Sequence, residues 1–191
     1  LSANAPLAYQ FPQSSDLRAF LGNETVILNY FVSVDGIYLW LIDHTGLKVD
    51  HFVAIPQEVL REQINTLRKQ VYSKKDLDFS NSARQLYELL IKPVEQSIHR
   101  KALVIIPHQE LHFLPFEILL KNQDTFLIAD HEISYLPSLQ IIQHLNRKRG
   151  NGYQSFLGIG NPDNSLSWAE DEIEAIAGRK EFSQRTVLTN E

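Results

Sequence analysis

An α/β fold is predicted, with a mainly parallel central sheet flanked by helices and an amino-terminal antiparallel β-meander; three stretches carry the prediction. Leu103 to Ile106, LVII, is a continuous apolar run stopped by Pro107, the pattern of a strand buried on both faces and ending at a carboxyl-terminal edge. Such an edge is where open α/β sheets put loops and ligands. A helical pattern precedes that run, and helix followed by buried strand is the α/β signature. Nearer the amino terminus, TVILNYFVSVDGIYLWLID gives two β-prone runs around Asp35-Gly36, and a turn at His44-Thr45-Gly46 leads into LKVDHFVAI. The Asp-Gly pair predicts a hairpin through a positive φ at the glycine, and the three runs together predict the meander.

Composition bounds the rest. At 191 residues with 43% apolar content the chain buries a core of one domain, or one and a half. The net charge of −5 gives no electrostatic reason to bind nucleic acid or an anionic membrane, and neither is expected as a partner. No apolar run approaches the roughly 18 residues of a membrane span, and LSANAPLAYQ lacks a signal-peptide pattern, so a cytoplasmic location is expected. Zero cysteines exclude disulfides, thiolate metal sites and a cysteine nucleophile from these residues. Zero methionines read as an excised or processed stretch of a longer chain, or as a string from which modified methionines are missing.

Leu1 to Ser15 is polar and without periodicity, so residues 1–16 read as a linker or tail. After the meander, Pro56 opens a helix in PQEVLREQINTLRKQVY with Val59, Ile64, Leu67 and Val71 on its apolar face. SKKDLDFSNS is a loop, and Ser80 or Asn81 is the expected cap of the next helix, SARQLYELLIKPVEQSI, with a kink or break near Lys92 before Pro93. Beyond the strand at Leu103, Pro115 within LHFLPFEIL forbids a regular helix and pushes Leu114 to an extended conformation. An apolar elbow therefore leaves the strand and re-enters the core, with a second apolar strand, FLIADHEISYLPS, behind it. From Pro137, LQIIQHLNRKRGNG predicts a helix with Leu139, Ile142 and Leu145 on one face, ended by Gly150-Asn151-Gly152, the expected internal boundary. SFLGIGNP is then a strand with a glycine turn, SWAEDEIEAIAG an acidic-first helix stopped by Gly178, and RTVLTNE the start of another strand or turn.

Several residue sets invite a chemical reading. His108, Glu110 and His112 alternate and on a strand would share a face, a spacing compatible with a metal; the competing reading is a solvated turn with His112 part-buried. Tyr38 and Trp40 suggest a ligand cage, or cross-strand packing. His44 and His51 adjoin aspartates and Ser138 follows Pro137, but no serine sits in the strained elbow that a serine triad needs. Arg147 to Arg149 complement a helix end as well as they would a nucleic acid. Gly158 and Gly160 resemble a nucleotide-binding turn, yet the third glycine is missing and Glu170, Asp171 and Glu172 at the helix entrance would repel phosphate. No catalytic, cofactor-binding or metal residue is assigned, and no cofactor is expected.

The order of motifs carries a family resemblance. Leu86, Tyr87, Leu90, Ile91 and Pro93 precede the strand; Leu111, Leu114, Pro115, Phe116, Glu117 and Leu119 form L-x-x-L-P-F-E-x-L; and Ser134 to Ser138 form S-Y-x-P-S. Gly160 to Pro162 with Leu166, Ala169, Glu172 and Ile173 complete a series similar to the CHAT domain, a caspase-like module often found behind tetratricopeptide repeats. The resemblance runs from about Leu17 to Glu191. It implies that residues 17–150 are the amino-terminal, pseudo-protease-like half and residues 151–191 the beginning of the catalytic half. Members resemble caspases and separase, cysteine peptidases in which histidine polarises the thiol and backbone amides hold the oxyanion. This chain has no cysteine and no histidine followed by glycine, so both catalytic positions are expected downstream. The implied function is the non-catalytic part of a cysteine endopeptidase acting on proteins. Its implied partners are the catalytic half of the same protein, upstream helical repeats meeting the meander face, and a protein substrate or regulator. The alternative is an inactive α/β interaction or scaffold module.

Overall fold

A computed structural model of the chain describes residues 12–73, 79–99, 101–148, 155–160, 166, 168–179 and 182–189. They divide into two compact units, Leu1–Asn146 and Arg147–Glu191.

The first unit is built on one five-stranded sheet. In chain order it has α1 (Ser14–Leu21), β1 (Thr25–Val32), β2 (Gly36–Asp43), β3 (Gly46–Ala54), α2 (Gln57–Tyr72), α3 (Ser80–Leu90), β4 (Ala102–Ile106), α4 (Leu127–Asp130), β5 (Ile133–Tyr135) and α5 (Ile141–Lys148). The strand order is β3-β2-β1-β4-β5. β1 pairs antiparallel with β2 and parallel with β4, so the meander and the parallel strands are one sheet that meets at β1. β4 continues parallel into β5.

Alternation sorts the side chains into two cores. On one face Leu28, Tyr30, Leu39, Leu41, Leu103 and Ile105 pack against Leu60, Ile64 and Leu67 of α2 and Ala83, Leu86, Tyr87 and Leu90 of α3. On the other, Ile27, Val104 and Ile106 pack against Leu17 and Leu21 of α1 and Ile142 of α5. β4 is thus covered on both sides, as its uninterrupted apolar run predicts: Leu103 to Ile106 are all buried. The buried hydroxyl of Tyr30 donates to the Leu90 carbonyl at 2.9 Å and satisfies a terminal acceptor of α3 that the helix itself leaves open. Burial holds that phenol far above the ordinary tyrosine range, with Tyr135 adding to the shift.

Several local expectations change. α1 begins at Ser14, inside the stretch read as linker; its apolar stripe is only Leu17, Phe20 and Leu21. On α2 the buried position is Leu60 and not Val59, which is exposed; Leu60, Ile64 and Leu67 repeat at four and three residues, as one helix face requires. α3 takes Phe79 as its N-cap, not Ser80 or Asn81, and it breaks at Ile91 into a 3-10 turn over Lys92–Val94, where Pro93 predicts a break. The β1–β2 hairpin forms, but Gly36 does not supply a positive φ; Gly46 does, in the following turn, with φ 126°. A side chain at Gly36 would instead run into the Phe52 ring and the Val53 carbonyl, so packing excludes a Cβ there. In FLIADHEISYLPS only Ile133–Tyr135 is strand, because Leu127–Asp130 closes one helical turn. The helix predicted from Pro137 starts at Ile141, and Leu139 packs ahead of it. Its expected end at Gly150 to Gly152 lies outside the described residues, as do the side chains of Arg147 to Arg149.

The second unit contains β6 (Ser155–Gly160), α6 (Ala169–Ala177) and β7 (Gln184–Thr189), with β6 and β7 parallel. Strand, helix and strand follow the predicted order. A Cβ at Gly158 or Gly160 would collide with Ile173 of α6. The G-x-G pair is therefore a helix-packing feature that lets α6 lie close to β6. Among the described residues, no helix is long and apolar enough to cross a membrane.

Candidate functional site

The carboxyl ends of the parallel strands carry the features that packing alone does not explain. β1 runs on to Val32 after its pairing with β4 stops at Asn29 opposite Ile106. The chain leaving β4 turns at buried Pro107, and the imidazole of His108 takes over where the ladder ends: its Nδ1 accepts the Val32 N–H at 3.1 Å. The same ring stacks on Phe31, with centroids 4.6 Å apart. A crevice of about 240 Å³ opens here, lined by Asn29, Phe31, Trp40, His108, Ser138 and Gln140 among others. It lies at the edge where the sequence places a ligand-bearing loop.

After His108 the backbone enters the left-handed region at Gln109, φ 51°, which is uncommon for a residue with a side chain. A polar clamp from α2 holds it. Gln57 donates to Gln109 Oε1 and, at 3.1 Å, to Glu110 Oε1, while Arg61 donates to Glu110 Oε1 from Nε at 2.9 Å and Nη2 at 2.7 Å. Two 3-10 turns, Gln109–Phe113 and Phe116–Ile118, then flank an extended Leu114-Pro115. They send Leu111, Leu114, Phe116, Leu119 and Leu120 into the core. This is the proline-bent elbow the sequence predicts. The Tyr135 hydroxyl pins its second turn, accepting from the Phe116 N–H at 3.3 Å and donating to Glu117 Oε2 at 3.0 Å. A second polar knot centres on Glu95, which receives Lys92 at 2.7 Å, Lys121 at 3.3 Å and the Tyr87 hydroxyl at 3.1 Å.

These partners set two carboxyl groups. For Glu110, partial burial raises the pKa, but hydrogen bonds from Arg61 and Gln57 outweigh it and leave the group below the ordinary glutamate range. Glu95 is lowered by its hydrogen bond from Lys92, against opposing burial, with help from Lys121 and Tyr87. A carboxyl whose folded pKa is depressed stabilises the fold above its unfolded value and loses that contribution as the pH falls through the folded one. The urea midpoint is therefore expected to fall as the pH is lowered from about 5 to about 3, and Glu110→Gln should narrow its gap to the parent over that same range. A gap that stays constant down to the acid limit would show that the Arg61–Glu110 contact contributes nothing to stability.

The other residues singled out from sequence disperse. His108, Glu110 and His112 do not share a strand face: His108 is held by Val32, Glu110 by Arg61, and His112 is exposed rather than part-buried. Among the described residues no group of three or more histidine, aspartate or glutamate side chains is disposed to hold a metal ion. Tyr38 and Trp40 stack on one another at 5.9 Å with nearly parallel rings, part of an aromatic row with Phe31 and Phe52 and not a box. Asp43 caps its own turn through Thr45, at 2.7 Å and 2.8 Å, and does not serve a histidine. Ser138 lines the crevice that His108 also lines. Sequence reasoning missed the roles of Phe31, His108 and the Gln57–Arg61 clamp; the only local signal was Pro107 closing an apolar run. In comparisons with known proteins, a family model described as CHAT domain matches residues 80–191, more than half of the chain. That range starts at α3 and leaves α1, the meander and α2 outside it. No curated protein matches the chain.

Proposed function

We propose, since this chain belongs to the CHAT domain family, that it forms the non-catalytic α/β body of a caspase-like cysteine endopeptidase acting on protein substrates. The observation that carries the reading is the family match in a sequence with no cysteine: a thiolate mechanism then takes its nucleophile, and the histidine beside it, from another segment of the same protein. The body's part is positional. A strand buried on both faces, and an elbow locked by Tyr135, make a support that does not yield when a neighbouring segment packs on it. The partners in this reading are the catalytic segment, upstream helical repeats and a protein substrate or regulator, in the cytoplasm.

One feature favours a second reading, an inactive interaction module: Phe31, Tyr38 and Phe52 form an aromatic surface on the meander, each between 39% and 45% exposed. A single comparison separates the two. The full gene product and the 191-residue chain are assayed on denatured casein, with and without replacement by alanine of a cysteine lying after a strand and downstream of a histidine-glycine pair. The peptidase reading expects hydrolysis by the full product alone and its loss in the alanine variant. No hydrolysis by the full product, or a full product without such a cysteine, would favour the interaction module, and hydrolysis that survives the replacement would remove the cysteine mechanism.

A further inference from the structure

We infer that the channel between α2 and the elbow is a docking groove for an extended peptide segment that carries a carboxylate beside apolar side chains. Two adjoining cavities, about 480 Å³ and about 310 Å³, lie along this channel and share Arg68 and Phe113 in their walls. The first has Gln57, Asn65 and Gln109 in its wall beside Ile64. The second is apolar, with Val71, Tyr72, Pro115 and Ile118. Phe113 is 60% and Tyr72 77% exposed, so each leaves a large apolar surface in water.

Charge decides what the channel would take. Arg61 is committed, to Glu58 at 3.0 Å and Glu110 at 2.7 Å. Arg68 is not: its guanidinium lies 5.1 Å from the centre of the Phe113 ring, and among the described residues it makes no ion pair. Among the described residues the channel therefore presents one uncommitted cation, in the wall that its two cavities share, in a chain whose net charge is −5. A guanidinium braced on an aromatic face is pre-organised for a carboxylate, which it grips through two parallel N–H donors. The shape favours a chain over a compact ligand. The sixteen residues of α2 extend along one wall for about 24 Å, the span of about seven extended residues. Both walls are fixed before anything binds, since Leu111 and Leu114 anchor the elbow and the clamp on Glu110 holds the turn at Gln109. The proposal does not depend on peptidase activity and uses no residue of the crevice at His108.

The test uses the 191-residue chain and a positional library of fluorescein-labelled peptides of about nine residues, each with one glutamate next to varied apolar positions, titrated by fluorescence anisotropy. Saturable binding is expected. Arg68→Gln should weaken it at least about tenfold, as should glutamine in place of the peptide's glutamate, and the two losses together should not exceed either alone. Phe113→Ala should weaken it through loss of the aromatic support. Phe113 is exposed and Arg68 partly so, and an unchanged far-ultraviolet circular dichroism spectrum verifies that the variants are folded. An absence of saturable binding across the library, or binding indifferent to Arg68→Gln, would overturn the proposal. So would a concentration-dependent dimer that Arg68→Gln dissolves, which assigns the channel to a second copy of the chain.

Discussion

Phe116→Ala is expected to destabilise the first unit by about 3–5 kcal/mol, the cost of truncating a buried aromatic side chain to a cavity that its surroundings only partly refill. The ring is fully enclosed, at 0% exposure, with its centroid 5.5 Å from Tyr30 and 6.3 Å from Tyr135. Neither neighbour is free to move into the space. Tyr30 is tied to the Leu90 carbonyl, and Tyr135 to the Phe116 N–H and Glu117. The cavity therefore persists and the cost should sit in the upper part of the range. In a unit of this size, the loss reads as a fall in melting temperature on the order of 10 °C. Phe113→Ala, three residues earlier, serves as the control, because its ring is 60% exposed and should move the midpoint little. Equal shifts for the two substitutions would mean that the elbow does not point Phe116 into the core.

The elbow was readable because its cause is local. Pro115 restricts Leu114, whose φ of −88° and ψ of 118° are extended, and the spacing of Leu111, Leu114, Phe116 and Leu119 follows from that bend. The β4 strand was readable for the same kind of reason, since an unbroken apolar run of this length fits burial on both faces. What stayed hidden depends on residues far apart in the chain. That β1 outlasts β4 by Tyr30, Phe31 and Val32 is a matter of register, and only register brings His108 to the Val32 N–H. The pairing of Arg61 with Glu110 spans 49 positions, and no periodicity within α2 announces it. Gly36 shows the converse error. The Asp-Gly pair suggested a backbone reason for the glycine, whereas the reason is the Phe52 ring and the Val53 carbonyl from the next strand. α1 was missed because Leu17, Phe20 and Leu21 in an eight-residue helix give too little periodicity to detect, although they pack with Ile27, Val104 and Ile106 of the sheet.

Ile105→Asp is expected to abolish the cooperative unfolding of the first unit. Ile105 is 0% exposed and sits in the middle strand of the parallel set, opposite Leu28 on one side and Tyr135 on the other. Its side chain belongs to the core shared with α2 and α3, where the neighbours are leucine, isoleucine and aromatic residues. An aspartate there must either stay charged without a partner or take up a proton. Either way it loses the isoleucine's packing, for a penalty of at least about 5 kcal/mol. That is comparable with the whole stability of a typical domain, about 5–15 kcal/mol, so the strand has no reserve against it. The expected observation is a broad, low-amplitude thermal transition with binding of a hydrophobic dye at room temperature. Leu47→Asp in β3 is the matched control: the same change in polarity at a position 59% exposed in the same sheet should leave the transition in place. If Ile105→Asp melted cooperatively within a few degrees of the parent, β4 could not be buried on both faces, and the support attributed to this body would have no physical basis.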